Sequence, residues 1–231
     1  MNFTEGEVLL FNKPYRWTSF DVVNKVRNIL RKLPALEGEK KRFKVGHAGT
    51  LDPLATGLLI LCTGKMTKKI QEFQAQKKEY AGTMLLGSTT PSYDLETEIN
   101  ESFSTDHINE KLINDTAMKF TGEITQFPPQ HSAKWAGGER AYKKARRGET
   151  AELKPSVVNI FEFEITNISM PRVDFRVLCS KGTYIRSLVH DFGKSLNSGA
   201  HLGALCRTKI GEHTIEESRE IADFVEMMKK I

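Results

Sequence analysis

Asp52 is the residue whose type and setting most invite chemistry. It lies in Gly46-His47-Ala48-Gly49-Thr50-Leu51-Asp52-Pro53-Leu54-Ala55-Thr56-Gly57, just ahead of the apolar run Leu58 to Cys62. Three glycines and a proline in twelve residues predict a shaped loop in place of a regular element. An aspartate before proline bonds its own backbone in turns, so one role open to Asp52 is purely local. The other is a carboxylate held on a rigid loop at a sheet edge, a nucleophile toward a sugar or base carbon. Arg186 is the second such residue. Its neighbours Ile185 and Leu188 belong to an apolar helix face, which draws the guanidinium toward the interior, where it needs an anion. A surface arginine laying its stem on the protein is the alternative. The third pattern is aromatic rings among cations. Tyr80 follows Lys77-Lys78-Glu79, Tyr142 sits in Arg140 to Arg147 with five basic residues, and Tyr184 follows Lys181. Rings plus cations suit unstacked bases and phosphates, although each segment taken alone also describes a solvated charged face.

Other chemistries lack their residues. Gly64-Lys65 looks like the end of a phosphate-binding P-loop, but Leu59 and Met66 stand where that motif needs Gly and Ser or Thr. No GxGxxG, HExxH or GxSxG occurs. The six histidines are scattered and none lies three or four residues from another, so no metal site is expected. Cys62, Cys179 and Cys206 form no CxxC and are odd in number, which predicts reduced thiols, no disulfide framework and a cytoplasmic setting. No cofactor is called for.

The elements that must position these residues are legible as patterns. Leu9 to Phe11 reads as a strand ended by Asn12-Lys13-Pro14. Thr18-x-x-Asp21 reads as a capping box, followed by Val22, Val23, Val26, Ile29, Leu30 and Leu33 at helical spacing and stopped by Pro34. Glu37 to Lys44 is a charged loop. Leu58 to Cys62 reads as a buried strand, Gly64 to Phe73 as a Lys-rich helix and Glu79 to Leu86 as a strand. Ile108 to Phe120 is helical, Pro128-Pro129 breaks the chain, and Ala141 to Arg147 is a short basic helix closed by Gly148. Phe161, Phe163 and Ile165 alternate with glutamates, and Val173, Phe175 and Val177 alternate with Asp174 and Arg176, which predicts two antiparallel partners. Thr183 to Leu196 is the clearest helix, Leu202 to Ile210 a strand, and Ile221, Phe224, Val225 and Met228 mark a last amphipathic helix. Neighbouring strands of hairpin type argue for an α+β fold with a mixed, mostly antiparallel sheet, not a doubly wound parallel one.

Composition sets the frame. The chain has 231 residues, 39% hydrophobic and 27% charged, ordinary for a globular protein. Its longest apolar run is five residues, far short of the ~20 that cross a bilayer. Residues 1 to 14 do not read as a signal peptide. The formal charge of +5 leans toward a polyanionic partner.

Taken together, the segments resemble one family. Gly46 to Gly57 closely resembles the catalytic-loop signature of the TruB family of tRNA pseudouridine synthases. Lys77-Lys78-Glu79-Tyr80, Leu86-Gly87 to Asp94-Leu95-Glu96, Pro128-Pro129 to Ser132-Ala133, Ser180-Lys181-Gly182-Thr183-Tyr184-Ile185-Arg186-Ser187-Leu188, and Gly199-Ala200-His201-Leu202 to Leu205-Cys206-Arg207-Thr208 follow in the family's order. The resemblance spans about Leu9 to Glu217 and implies a fold, a reaction and a site. The fold is the pseudouridine synthase core, a long bent sheet with flanking helices and a cleft across its middle. The reaction isomerises uridine 55 in the T loop of tRNA without cofactor or metal. By match to the motif, Asp52 is the nucleophile, Arg186 the arginine that pairs with it, and Tyr80 the tyrosine that stacks on the target base and helps remove the carbon-5 proton. Tyr184 and Leu205 line the base pocket, and His47 inserts into the T loop. A single catalytic domain over 1–231 is expected, without the C-terminal PUA module that many members carry, acting on tRNA as a monomer with no membrane or protein partner. Basic residues from Lys40 to Lys44, Lys65 to Lys78 and Arg140 to Arg147 are expected to flank the RNA path. His131, Lys134, Trp135 and Ser156 depart from the family pattern, so no role is carried onto them.

Two other classes compete. An RNA-folding module that opens the T loop would not need Asp52, Tyr80 and Arg186 together. An aspartate-dependent hydrolase or phosphotransferase would need a metal cluster or a second acidic residue beside Asp52, and the loop has none.

Overall fold

The structure, a computed structural model, describes residues 2–3, 5–34 and 43–230. The elements run β1 (Val8–Lys13), α1 (Ser19–Leu30), β2 (Val45–His47), β3 (Thr56–Thr63), a 3-10 helix (Gly64–Lys69), α2 (Ile70–Ala75), β4 (Lys78–Leu86) and β5 (Ser88–Thr89). They continue with β6 (Glu101–Ser102), α3 (Glu110–Lys119), β7 (Gly122–Gln126), β8 (Trp135–Ala136), β9 (Glu139–Arg140), α4 (Ala141–Arg146), β10 (Ser156–Ser169) and β11 (Arg172–Cys179). Then follow α5 (Ile185–Ser195), β12 (Ala200–Ile210), β13 (His213–Thr214), a second 3-10 turn (Ile215–Glu217) and α6 (Ile221–Met228). Strand pairing is mostly antiparallel, as the hairpin patterns predict, and β12 on β3 is parallel. No helix among the described residues is long and apolar enough to cross a membrane.

The chain forms two compact units. One holds the residues up to Glu79 and those from Cys206 onward; the other is Tyr80–Leu205. In the first, β3 is the centre, with β1 and β2 antiparallel to it and the C-terminal part of β12 parallel. Leu58 to Cys62 are all fully buried, because each face of β3 is covered. Leu59 and Leu61 pack with Phe11, with Val22, Val26 and Leu30 of α1, and with Phe224 of α6. Leu58, Ile60 and Cys62 pack with Ala48 and Ile210. The capping box at Thr18 forms: its side chain accepts from the Asp21 amide, and the Asp21 carboxylate accepts from the Thr18 amide at 2.8 Å. In the second unit, β10 lies antiparallel between β7 and β11, and Phe163 packs edge-on against Phe175 and against Phe192 of α5.

Two predicted elements differ. The irregular stretch of the glycine-rich segment is Ala48 to Ala55, not the whole of Gly46 to Gly57. Gly46 and His47 pair with Cys62 and Leu61, and Thr56-Gly57 open β3. Tertiary pairing recruits both ends into the sheet. The Lys-rich helix begins as a 3-10 helix and becomes α-helical only from Ile70.

Gly57 shows why the segment must end in glycine. Its φ is 102°, and a Cβ there would sit 2.4 Å from the Arg207 carbonyl oxygen and 2.6 Å from the Arg207 nitrogen. A side chain would therefore meet both a left-handed backbone and backbone atoms of β12 that have no room to move. Gly57→Ala is expected to lower stability by about 3 kcal/mol or more. Urea unfolding checks this, and a loss under about 1 kcal/mol would contradict it.

Candidate active site

In the first unit, the Asp52 loop is pinned on both sides of the carboxylate. The Ser19 hydroxyl accepts from the Leu51 amide at 2.8 Å and donates to the Leu51 carbonyl at 3.3 Å. The Arg16 amide donates to the Pro53 carbonyl at 2.8 Å, and the Ala55 amide donates to the Asp52 carbonyl at 3.1 Å. Ala48, Leu51 and Ala55 are buried anchors. Half-buried Asp52 is thus presented by a loop whose neighbours cannot shift without breaking hydrogen bonds, which is the preorganisation a nucleophile needs.

Two buried cations stand behind this loop, and neither is a residue to which the motifs assign a role. Lys13 is fully buried, and its ammonium donates to the carbonyls of Pro14, Trp17 and Pro53 at 2.8, 2.5 and 3.3 Å. Burial drags its pKa down from 10.5 to about 8, while Asp52 pulls it back up and Arg207 adds to the lowering. The attraction is mutual, so Lys13 is a cation placed to hold negative charge at Asp52. Arg207, 1% exposed, donates through Nε to the Leu58 carbonyl at 2.8 Å and through Nη2 to the Gly49 carbonyl at 3.2 Å. A period-2 signal was available for both. Lys13 follows Leu9 and Phe11 on the inward face of β1, and Arg207 follows Leu205 on that of β12. A charge at an inward position demands partners, and loop carbonyls supply them. His47, at the end of β2, is held below its ordinary pKa chiefly by burial, against a Gly49 backbone hydrogen bond that raises it; it is neutral at neutral pH.

In the second unit, Arg186 is buried at the start of α5, which decides against a surface-lying side chain. Its Nη1 donates to the Ser92 carbonyl at 3.1 Å and its Nη2 to the His131 carbonyl at 3.0 Å, with Nε 3.6 Å from Asp94 Oδ2. Asp94, 4% exposed, is the carboxylate this unit gives Arg186, and the Glu96 amide donates to its Oδ1 at 2.9 Å. Just before it, Tyr93 stacks on His190, with centroids 3.8 Å apart and planes 11° off parallel. His190 lies one helical turn beyond Arg186, so residues 92–94 are clamped along one side of α5. Tyr184 precedes α5, and a buried amide fixes it. Gln126 Oε1 accepts from the Tyr184 amide at 2.7 Å, and Gln126 Nε2 donates to the Tyr184 carbonyl at 3.0 Å. Half-buried Tyr80 lies on β4 and buried Leu205 on β12.

The basic segments are less uniform than their composition. Lys40, Lys41 and Arg42 lie outside the described residues. Lys78 is not available to an anion: it is buried and donates to the carbonyls of Phe73, Gln74 and Gln76, closing the end of α2. Lys65 pairs with Glu5, Arg146 with Glu96, and Arg147 with both Glu139 and Glu149. Arg140 lies 4.8 Å over the ring of exposed Trp135. No group of three or more metal-ligating side chains occurs among the described residues.

The chain is similar to known proteins in sequence and in fold. The model of the TruB family pseudouridylate synthase N-terminal domain matches residues 36–185. A protein of Flavobacterium johnsoniae named tRNA pseudouridine synthase B is 56% identical over 227 residues, covering 98% of each chain. One of the same name from Phocaeicola vulgatus is 52% identical over 229 residues, 99% of this chain and 95% of its own. Among solved structures, a chain of a Cbf5–Nop10–Gar1 complex superposes with a TM-score of 0.71 at 29% identity over 97% of this chain. A chain of an H/ACA RNP bound to a substrate RNA containing 2'-deoxyuridine gives 0.67 at 27% identity, also over 97%. The present chain spans about half the length of those two, 54% and 53%.

Proposed function

This chain belongs to the TruB family of pseudouridylate synthases, and from that membership we propose that it converts uridine 55 in the T loop of tRNA to pseudouridine. The observation that carries this is 56% identity, over 98% of both chains, to a protein named tRNA pseudouridine synthase B. The bond from base N1 to the ribose carbon breaks, the uracil turns, and a bond forms from C5 to the same carbon. The C5 proton leaves and N1 ends protonated, so atoms balance without any further reactant.

The roles follow the family motif. Asp52 is the nucleophile, and the anchored loop supports this by fixing a carboxylate with a cation behind it. Arg186 is the guanidinium that serves that carboxylate. Tyr80 stacks on the target base and assists loss of the C5 proton, Tyr184 and Leu205 bound the base, and His47 fills the T loop once the base has left. A neutral His47 suits insertion among bases better than a cation that must keep its water. Flipping the uridine costs a few kcal/mol, offset by stacking and hydrogen bonds in the pocket. The enzyme works as one catalytic domain, as a monomer in the cytoplasm, and needs no cofactor.

Lys13 gives this reading a pH signature. Turnover is expected to fall as pH rises past about 8, because the ammonium that faces Asp52 loses its proton there. Folding runs the other way. The folded pKa lies below the unfolded value, so between about 8 and 10.5 the unfolded chain binds more protons and this group's contribution to stability rises with pH. Lys13→Met is expected to lose roughly tenfold or more in rate near neutrality and to lack the limb near pH 8. Identical pH profiles in the two proteins would remove Lys13 from the site.

The test of the function is tritium release from carbon-5-labelled uridine in a T stem-loop RNA. Release by the parent and none by Asp52→Ala is the expected result. Tight RNA binding with no release from either the stem-loop or full-length tRNA would sink the isomerase and leave an RNA-folding role.

A further inference from the structure

Three non-glycine residues among those described have a left-handed backbone: Arg16 at φ 66°, Tyr93 at 63° and Asn197 at 52°. Asn197 follows the end of α5, where asparagine tolerates that conformation. Tyr93 has the His190 ring to hold it. Arg16 has no such explanation. Its side chain is exposed and lies 5.6 Å over the ring of Tyr15, itself 52% exposed. Among the described residues it has no ion-pair partner. Glycine would make the same turn without strain, so the fold alone gives no reason for an arginine here. Strained positions of this kind persist where the surroundings over-determine them, and they cluster at functional sites.

The surroundings of Arg16 are the Asp52 loop. Its own amide donates to the Pro53 carbonyl at 2.8 Å, and the Lys13 ammonium holds the same oxygen together with the carbonyls of Pro14 and Trp17. Residues 13–17 therefore form a collar on the residue that follows Asp52, and Arg16 is the cation this collar turns to solvent. We propose that Arg16 binds a backbone phosphate of the RNA strand that delivers the target nucleotide to Asp52. The chemistry is that of a planar guanidinium, placed over an aromatic ring, meeting a phosphate that its fork of N–H donors matches. The left-handed turn aims the side chain outward over Tyr15, and the strain is the stability given up for that contact. The inference rests on the assignment of an RNA uridine to Asp52 and adds to it a phosphate-binding residue on the loop's collar.

Arg16→Asn tolerates the left-handed backbone without the charge, Arg16→Gly also relieves the strain, and Arg16→Lys keeps a cation. Each is compared with the parent in three measurements: binding of a labelled T stem-loop RNA across a salt series, single-turnover tritium release at saturating RNA, and a thermal melt. The Asn and Gly variants are expected to bind about three- to tenfold more weakly at ~0.15 M salt. Their slope of log affinity against log salt should be shallower by about 0.7–0.9, the signature of one lost phosphate contact. Their single-turnover rates should stay within about twofold, and Arg16→Gly should melt at or above the parent. Arg16→Lys should keep most of the affinity and the slope. Parental affinity and slope in Arg16→Asn would overturn the inference, as would an Arg16→Lys indistinguishable from Arg16→Asn or an Arg16→Gly that melts well below the parent. An active parent with an indifferent Arg16 rejects this inference alone, whereas a parent that neither binds nor modifies the RNA rejects the functional reading beneath it as well.

Discussion

Asp52→Asn is expected to lower turnover by about 10⁴-fold or more while RNA affinity stays within about tenfold. The amide has almost the volume of the carboxylate, and the loop is held by its neighbours, through Ser19 on Leu51 and through Arg16 and Lys13 on Pro53. The variant therefore keeps the loop and loses the nucleophilic carboxylate. Affinity should survive because most of it comes from phosphate and shape contacts away from the reacting carbon. One side effect is expected: Lys13 loses the charge that holds its pKa up, so it should titrate lower than in the parent. Single-turnover tritium release and stem-loop binding, measured on the same preparation, check the prediction. Residual activity above a percent of the parent would show that Asp52 is not the nucleophile. A collapse in binding would show that it is part of the RNA contact itself.

Arg186→Lys is expected to lose about 100-fold or more in kcat with a modest change in RNA affinity. The exchange keeps the charge but not the geometry. The guanidinium spreads its donors across the carbonyls of Ser92 and His131 and keeps Nε toward Asp94, an arrangement an ammonium cannot copy from one point. At this depth each carbonyl left without a donor costs about 1–3 kcal/mol, so segment 92–94 and the segment carrying His131 should loosen together. Circular dichroism and a thermal melt on the variant separate misfolding from misplacement. Near-parental rates in a folded Arg186→Lys would take Arg186 out of the catalytic set and leave it a structural role.

Much of this protein is legible before folding is considered, wherever the signal is local. The capping box at Thr18 and the apolar faces of α1, α5 and α6 follow from backbone hydrogen bonding within one turn and from the 3.6-residue period. The antiparallel pair β10–β11 follows from alternation on either side of a short connection. The five-residue run in β3 announces a strand covered on both faces. The family follows from the order and spacing of its motifs, and with it the nomination of Asp52, Tyr80 and Arg186. The partners of the charged groups were not legible, because they are set by contacts between segments far apart in the chain. Lys13 looked like the end of a strand until the carbonyls of Pro14, Trp17 and Pro53 closed around it. Lys78 looked like part of a basic track until α2 used it as a cap. Nothing local marks Arg16 as left-handed; the Pro53 carbonyl and the turn of the collar impose that conformation. Residue identity decided which groups are able to react and which elements carry them. Tertiary structure alone decided what satisfies the buried charges and how firmly the loop bearing Asp52 is held. The reason is that burial of a charge and closure of a loop are properties of the packed chain, and no single segment possesses them.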